Sequence, residues 1–329
     1  MKRLDHYWYS INFISLLLLP LSGVFCLLAH LRLLLYKIKF LKSYKAPVPV
    51  IVIGNISVGG TGKTPLIIEL VKQLQSKGKT PGVISRGYGG KSNAWPQLVS
   101  AQTTAQQVGD EPQLIFQRCQ CAVAVGPNRQ QSIALLLSRS NCDIILSDDG
   151  LQHYALQREI EIVVVDAQRR FGNRFCLPAG PLREPCSRLE TVDLVLFNGG
   201  NKQQMSFAME AVQCNVVGRG VTEKEIVGRV LSSFSGQTVH AVAGIGHPQR
   251  FFNMLKCHDI AVIEHAFSDH HTYCESDLNF NDDFSVLMTE KDAVKCRDFL
   301  LSDHWAVAIE IVISAPAQQQ LTQILNSLA

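Results

Sequence analysis

The run Gly54-Asn55-Ile56-Ser57-Val58-Gly59-Gly60-Thr61-Gly62-Lys63-Thr64 is the sharpest chemical signal in the chain. It follows the apolar, β-branched Val50-Ile51-Val52-Ile53 and precedes a helical pattern over residues 65–75. A strand, a glycine-rich turn and a helix in that order form a phosphate cradle. Small residues let backbone N–H groups converge on the oxygens, and the helix N-terminus adds a favourable dipole. Ser57, Val58, Gly59, Gly60, Thr61, Gly62, Lys63 and Thr64 are the candidate nucleotide contacts. Lys63 would span the outer phosphates and the Thr64 hydroxyl would ligate Mg²⁺. The usual pattern has glycine where Ser57 stands, and serine is small enough to preserve the loop. Val58 occupies the place of the extra lysine of ParA-type ATPases. Thr289-Glu290-Lys291-Asp292 holds the ingredients of a guanine reader, but in a different order.

A phosphoryl transferase also needs carboxylates for its metal and a base for its acceptor. The apolar run Ile144-Ile145-Leu146 ends in Ser147-Asp148-Asp149-Gly150, which puts two acids at the C-terminal end of a strand. Ligand crevices of parallel sheets lie there, so Asp148 and Asp149 are candidate metal acids, although Asp-Asp-Gly is also good turn chemistry. Base candidates are Asp110, in Gly109-Asp110-Glu111-Pro112, and His270, in Phe267-Ser268-Asp269-His270-His271. Each could equally be a helix cap or a solvated loop residue. His265, Asp269, His270 and His271 lack the cysteine pattern of a zinc site. Arginines thicken between Arg158 and Arg188, and a forked guanidinium suits phosphate.

These groups must be held by a frame. Short apolar runs at residues 50–53, 82–85, 121–125, 143–147, 160–165 and 193–197 alternate with helical patterns at 65–75 and 127–139. That alternation predicts an α/β fold: a P-loop NTPase-like core with a mostly parallel sheet. Beyond residue 200 the pattern restarts, with strands near 239–243, 261–263, 285–288 and 306–311, a helix at 248–257 and another from Ala317. The expected organisation is therefore an N-terminal membrane helix and basic linker (1–46), a kinase core (47–200) and a smaller C-terminal α/β lobe (201–329).

Residues 7–29 carry no charge and include Leu16-Leu17-Leu18-Leu19 and Phe25-Cys26-Leu27-Leu28. A run of roughly 20 apolar residues can cross a bilayer as a helix. Pro20, Gly23, Asn12 and His30 leave open the alternative of an amphipathic helix lying in the interface. Five basic residues follow, without a small-residue cleavage site, which argues against a signal peptide and puts the body on the cytoplasmic side of the membrane. Residues 1–45 hold seven Lys and Arg against Asp5 alone, giving +6 there and leaving −3 for the rest of a chain of net charge +3. The basicity thus suits an anionic membrane surface and not nucleic acid, and no protein partner is indicated. The ten cysteines show no metal or redox spacing and read as thiols of a reducing compartment. Apolar residues at 47% and charged residues at 18% indicate a packed globular body.

Several motifs together resemble the tetraacyldisaccharide 4'-kinases of lipid A biosynthesis. They are residues 54–65, Ser85-Arg86-Gly87-Tyr88-Gly89, Gly109-Asp110-Glu111-Pro112, Val125-Gly126-Pro127-Asn128-Arg129, Asp148-Asp149-Gly150-Leu151-Gln152-His153, Pro178-Ala179-Gly180-Pro181-Leu182-Arg183-Glu184, Phe267-x-Asp269-His270 and Thr289-Glu290-Lys291-Asp292. The resemblance spans nearly the whole chain. It implies transfer of the ATP γ-phosphoryl, with Mg²⁺, to the 4'-hydroxyl of a tetraacylated glucosamine disaccharide 1-phosphate at the membrane. It implies Asp110 as base, oriented and made more basic by His270, and Asp148 and Asp149 at the metal with Glu184 as a further acid. It also implies Arg129, His153 and Arg183 around the phosphates, and Arg86 and Tyr88 towards the lipid. The alternative is a membrane-attached P-loop NTPase acting as a regulatory or assembly factor.

Overall fold

A computed structural model of the protein describes residues 4–201, 203–216, 228–296, 299 and 303–328. After a short 3-10 turn at Leu4–Tyr7 come α1 (Phe13–Leu17), capped by the Asn12 side chain, and α2 (Leu19–Lys37). Pro20 lies in the first turn of α2, where its missing N–H costs nothing. The helix runs on past the uncharged segment through His30 and Arg32 to Lys37. It is long and apolar enough to cross a membrane. One flank nonetheless touches the body: Ser22 Oγ donates to the Cys176 carbonyl at 2.8 Å, and the Tyr36 ring lies 6.1 Å from that of Tyr154. Leu17, Leu21, Val24, Leu27, Leu28, Leu31 and Leu34 remain exposed.

The body alternates strands and helices. In order come β1 (Val50–Gly54), α3 (Lys63–Ser76), β2 (Pro81–Ser85), β3 (Gln97–Leu98), α4 (Ala105–Val108), α5 (Asp110–Cys119), β4 (Ala122–Val125) and α6 (Arg129–Arg139). Then follow β5 (Ile144–Asp148), β6 (Ile160–Asp166), β7 (Leu194–Asn198), β8 (Ser206–Val216), β9 (Gly228–Arg229) and β10 (Thr238–Ala243). The chain closes with α7 (Pro248–Cys257), β11 (Ala261–Ala266), β12 (Val286–Thr289), α8 (Glu290–Cys296), β13 (His304–Ile313) and α9 (Ala315–Asn326). β1, β2, β5 and β6 are buried at every position, as continuous apolar runs in a covered parallel sheet must be.

One 13-stranded sheet runs through the molecule in the order β11-β10-β12-β13-β8-β7-β6-β1-β5-β2-β4-β3, with β9 on β8. Among the described strands, pairing is parallel except at β13–β8, β8–β9 and β3–β4. β8 is the hinge of this arrangement, since it pairs with β7 on one side and with the long β13 on the other. Its sequence, SFAMEAVQCNV, mixes polar and apolar residues and carries no compact apolar run, so sequence patterning passes over it. Separate apolar clusters lie in the two halves: Ile51, Ile53, Leu66 and Leu70 on one side, Phe234, Phe252, Leu255 and Leu287 on the other. The last helix crosses back, and its Ala317, Leu321 and Leu325 join the N-terminal cluster.

Candidate active site

Five neighbouring parallel strands, β7, β6, β1, β5 and β2, end side by side at Asn198, Asp166, Gly54, Asp148 and Ser85. Sheet topology therefore delivers these residues to one crevice, the place where open α/β sheets bind ligands. The glycine loop leaves β1 and enters α3 at Lys63. Gly62 has φ +92°, and a Cβ there would lie 2.4 Å from Asn198 Nδ2, so both conformation and space demand glycine. Ser57 is different: it forms an isolated β-bridge with Leu182 and is absent from the left-handed positions, so serine fits without strain. Asn198 Nδ2 donates to the Thr61 carbonyl at 3.0 Å, and Asn55 Nδ2 to the Gly59 carbonyl at 3.2 Å. Val58 N donates to Pro181 O at 2.9 Å and Arg183 N to Ile56 O at 2.7 Å, which clamps the loop against the Pro181–Arg183 segment.

Lys63 Nζ lies 3.3 Å from Asp149 Oδ1, and Arg183 Nη1 donates to Asp149 Oδ2 at 3.0 Å. Burial would raise the Asp149 carboxyl, but Lys63 and Arg183 hold it below the usual carboxylate range. Asp149 takes φ +46°, a left-handed conformation that Asp tolerates better than most residues and that turns the chain out of β5. Asp148 is buried, with Oδ2 accepting from Ser85 Oγ at 3.2 Å and Oδ1 without a hydrogen-bond partner among the described residues. Burial, Glu111 and Asp149 push its carboxyl upwards against the pull of Lys63 and Arg129. An orphaned, buried carboxylate oxygen beside a phosphate loop fits a hard divalent cation, which would satisfy that oxygen and keep the group ionised.

Across the crevice, Gly109 has φ +95° and separates α4 from α5; a Cβ there would meet Tyr88 O at 2.8 Å. Asp110 thus opens α5, nearly fully buried, with Oδ1 accepting from the Glu111 N–H at 3.0 Å. His270 comes from the loop after β11 and sits at φ +58°. Its Nδ1 lies 3.0 Å from Asp110 Oδ2, and its ring stands 5.2 Å from that of Tyr88. Burial would raise Asp110, but the His270 hydrogen bond, Lys291, the His270 charge and Lys295 together hold it low. His270 is raised, chiefly by its hydrogen bond to Asp110. The partner thus lowers the proton affinity of Asp110 and does not raise it as the resemblance implies. Of the pair, the imidazole is the site of higher proton affinity.

The two sides meet at the glycine loop. A Cβ on Gly246 would stand 3.3 Å from Gly60 N and 3.5 Å from Asp269 Oδ2, so the segment before α7 lies directly on the loop. Arg250 of α7 donates to Asp166 Oδ1 at 2.9 Å. Asp166 also holds Arg169 at 3.2 Å, and Arg169 in turn donates to the Gly60 carbonyl. Asp166, Arg250 and Asn198 have no counterpart among the sequence candidates, whereas Arg169 lies in the arginine-rich stretch and Ser85 in a quoted motif. The signal that points to Asp166 and Asn198 is their position at the C-terminal end of a strand beside the loop.

Other expected residues sit elsewhere. Glu184 is buried with both oxygens engaged, one by the Tyr154 hydroxyl and the other by Gln152 Nε2 at 2.8 Å. Burial raises its carboxyl. It thus belongs to a network beside the phosphate loop instead of joining Lys63 and Asp149; Gln152 links the two by donating to Asn55 O at 3.0 Å. Arg129 is buried behind Asp148 and donates to its backbone carbonyl, which makes it a support for the acid pair. His153 is pushed down to about 4 by burial and by Arg129, Arg158, Arg32 and Arg86, so it is neutral at physiological pH. Arg86 and Tyr88 are exposed at the rim.

A parallel sheet carrying a glycine-rich phosphate loop, with acids on the next strand and an Asp–His pair facing it, defines a P-loop phosphotransferase. Residues 14–328 match the family model described as tetraacyldisaccharide-1-P 4'-kinase. The chain is 50% identical over 310 residues to a tetraacyldisaccharide 4'-kinase of Actinobacillus pleuropneumoniae serotype 7 (strain AP76), covering 93% of this chain and 94% of that one. It is 46% identical over 328 residues to one of Methylobacillus flagellatus (99% and 97% covered). A crystal structure described as the "apo" form of LpxK from Aquifex aeolicus in complex with ATP aligns with TM-score 0.78 and 26% identity, over 96% of this chain and 99% of that one. The chain belongs to the tetraacyldisaccharide 4'-kinase family.

Proposed function

We propose that the protein transfers the γ-phosphoryl group of ATP to the 4'-hydroxyl of a tetraacylated glucosamine disaccharide 1-phosphate. The observation that carries this reading is the Asp110–His270 pair, 3.0 Å apart, in the crevice that the phosphate loop floors. A nucleotide-binding regulator has no need of a base on the acceptor side.

The glycine-loop amides and Lys63 bind the triphosphate, and Lys63 exchanges its contact with Asp149 for phosphate oxygens. Thr64 with Asp148 or Asp149 would hold Mg²⁺, which supplies charge neutralisation across the phosphates. Asp110 takes the proton of the acceptor hydroxyl as its oxygen bonds to the γ-phosphorus, the bond to the β,γ-bridging oxygen breaks and ADP leaves. His270 holds the Asp110 carboxylate in place and keeps it ionised. Asn198 and Arg169 fix the shape of the glycine loop.

The acceptor's four acyl chains hold it in a bilayer, at about 0.8 kcal/mol per buried CH₂. The exposed apolar face of α2 and the basic residues Lys37, Lys39, Lys42 and Lys45 suit attachment to the cytoplasmic face of a bacterial inner membrane. The test is incubation of purified protein with the disaccharide 1-phosphate, detergent and Mg-ATP. A 4'-phosphorylated product supports the reading. Nucleotide hydrolysis without lipid product points instead to a regulatory NTPase.

A further inference from the structure

The Thr289-Glu290-Lys291-Asp292 run, which closes β12 and opens α8, enters the chemistry described so far only through the charge of Lys291 near Asp110. Its side chains diverge to three places. Glu290 accepts from Arg118 Nη1 of α5 at 2.6 and 2.8 Å. Asp292 is fully buried, accepting from Gly244 N at 3.0 Å and from Thr289 Oγ1 at 2.6 Å, with Lys295 Nζ 2.7 Å away. It anchors the segment that leads to Gly246 and so to the glycine loop. Lys291 turns the other way, towards the base.

Lys291 Nζ lies 3.2 Å from Glu111 Oε1, 3.4 Å from Asp269 Oδ1 and 3.7 Å from Asp110 Oδ2. Asp110 Oδ2 is also the oxygen that faces His270 Nδ1. Three carboxylates from two distant segments therefore converge on one ammonium group. Its side chain is 18% exposed, so solvent screens the cluster little. The titratable groups facing one another here are Asp110 and Glu111 from α5, Asp269 and His270 from the loop after β11, and Lys291 and Lys295 from α8. Without Lys291, three acids would share the space with only His270 and the more distant Lys295 to balance them, and like charges that close do not all stay ionised.

We propose that Lys291 is a positioning residue for phosphoryl transfer, an ammonium strut from α8 that keeps Asp110 ionised and aimed as the base and ties it to the segment carrying His270. The proposal rests on the reading of Asp110 as base. A carboxylate that has taken up a proton cannot accept the one on the acceptor hydroxyl, so losing the strut removes active enzyme from the acidic side of the pH range first. Consistent with that geometry, Asp110 is held low partly by Lys291, and Lys291 is itself raised by Glu111, Asp110 and Asp269 against the cost of burial.

The experiment is the pH dependence of kcat/KM for the lipid acceptor at saturating Mg-ATP, for the wild type, K291M, K291R and E111Q/K291M, with D110N as control. K291M should move the acidic limb to higher pH by about one unit, an approximately tenfold loss on that limb that recovers as pH rises, with little change in the KM for ATP. K291R keeps the charge and should keep the limb near its wild-type position. Removing one acid in E111Q/K291M should bring the limb part of the way back, a rescue that damaged folding would not give. A uniform loss with the limb unmoved, or no rescue by K291R and E111Q/K291M, overturns the role of Lys291. Wild-type kcat in D110N would instead overturn the reading of the base, and the proposal with it.

Discussion

His270 Nδ1 meets Asp110 Oδ2 at 3.0 Å across 160 positions of sequence, one residue opening α5 and the other in the loop beyond β11. The pair thus joins α5 to the loop after β11 at the far half of the sheet, and it holds the proposed proton acceptor. A general base contributes about a hundredfold or more to rate. D110N is expected to lower kcat by that order while leaving the KM for ATP within about twofold. Steady-state kinetics with both substrates varied checks this, and an unchanged kcat with weakened ATP affinity contradicts it.

The same pair has a signature in stability. His270 is raised above its ordinary value of 6.5 by Asp110, so the stabilisation from its charged form is complete below that value and is lost as pH rises through the raised one. Asp110, held low, stays ionised throughout this window. The difference in unfolding free energy between the wild type and H270Q should be larger at about pH 5.5 than at about pH 8.5. Urea titrations at the two pH values measure it, and a difference that grows with pH refutes the assignment.

Lys63 should be needed for nucleotide and chemistry alike. Its ammonium rests against Asp149, 3.3 Å away, on a loop whose amides cannot neutralise a triphosphate alone. K63A is expected to lose at least about a hundredfold in kcat/KM for ATP. Near-normal activity of this variant would remove the phosphate loop from the mechanism.

Glu161 offers a test of the frame away from the chemistry. It receives Arg188 Nη2 at 2.6 Å and Arg158 Nη1 at 2.7 Å, all three side chains being almost enclosed. E161Q leaves two buried guanidinium groups without their counter-charge and should cost about 3 kcal/mol. Thermal or urea unfolding reads this directly, and a loss under about 1 kcal/mol would mean that water reaches the network.

Deleting the chain before Lys37 should shift the protein from the membrane to the soluble fraction, because the exposed leucines of α2 go with it. Full retention in the membrane fraction would reveal a second attachment surface.

The glycine loop, the twin acids at Asp148 and Asp149 and the alternation of strand and helix were legible because they are local. A phosphate cradle needs small residues at fixed spacing, and a buried parallel strand needs an unbroken apolar run. β8 was not legible, because its sequence mixes Glu210, Gln213 and Asn215 among apolar residues and its partner β13 lies about 100 residues away in the chain. Helix α2 takes in Arg32 and Lys37, because such long side chains can point outward while the apolar face continues.

By itself, then, the sequence determined a P-loop α/β enzyme with an apolar N-terminal helix and supplied Asp110 and His270, left as separate candidates by their spacing and paired only through the family resemblance. Only the tertiary structure decided that these two touch, that Lys291 joins them, that Glu184 is engaged by Tyr154 and Gln152, and that Asp166 ties Arg169 on the loop to Arg250 of α7. The physical reason is that phosphate binding is written in backbone geometry a few residues long. Proton affinity and loop support depend on charges that chain topology brings together from far apart.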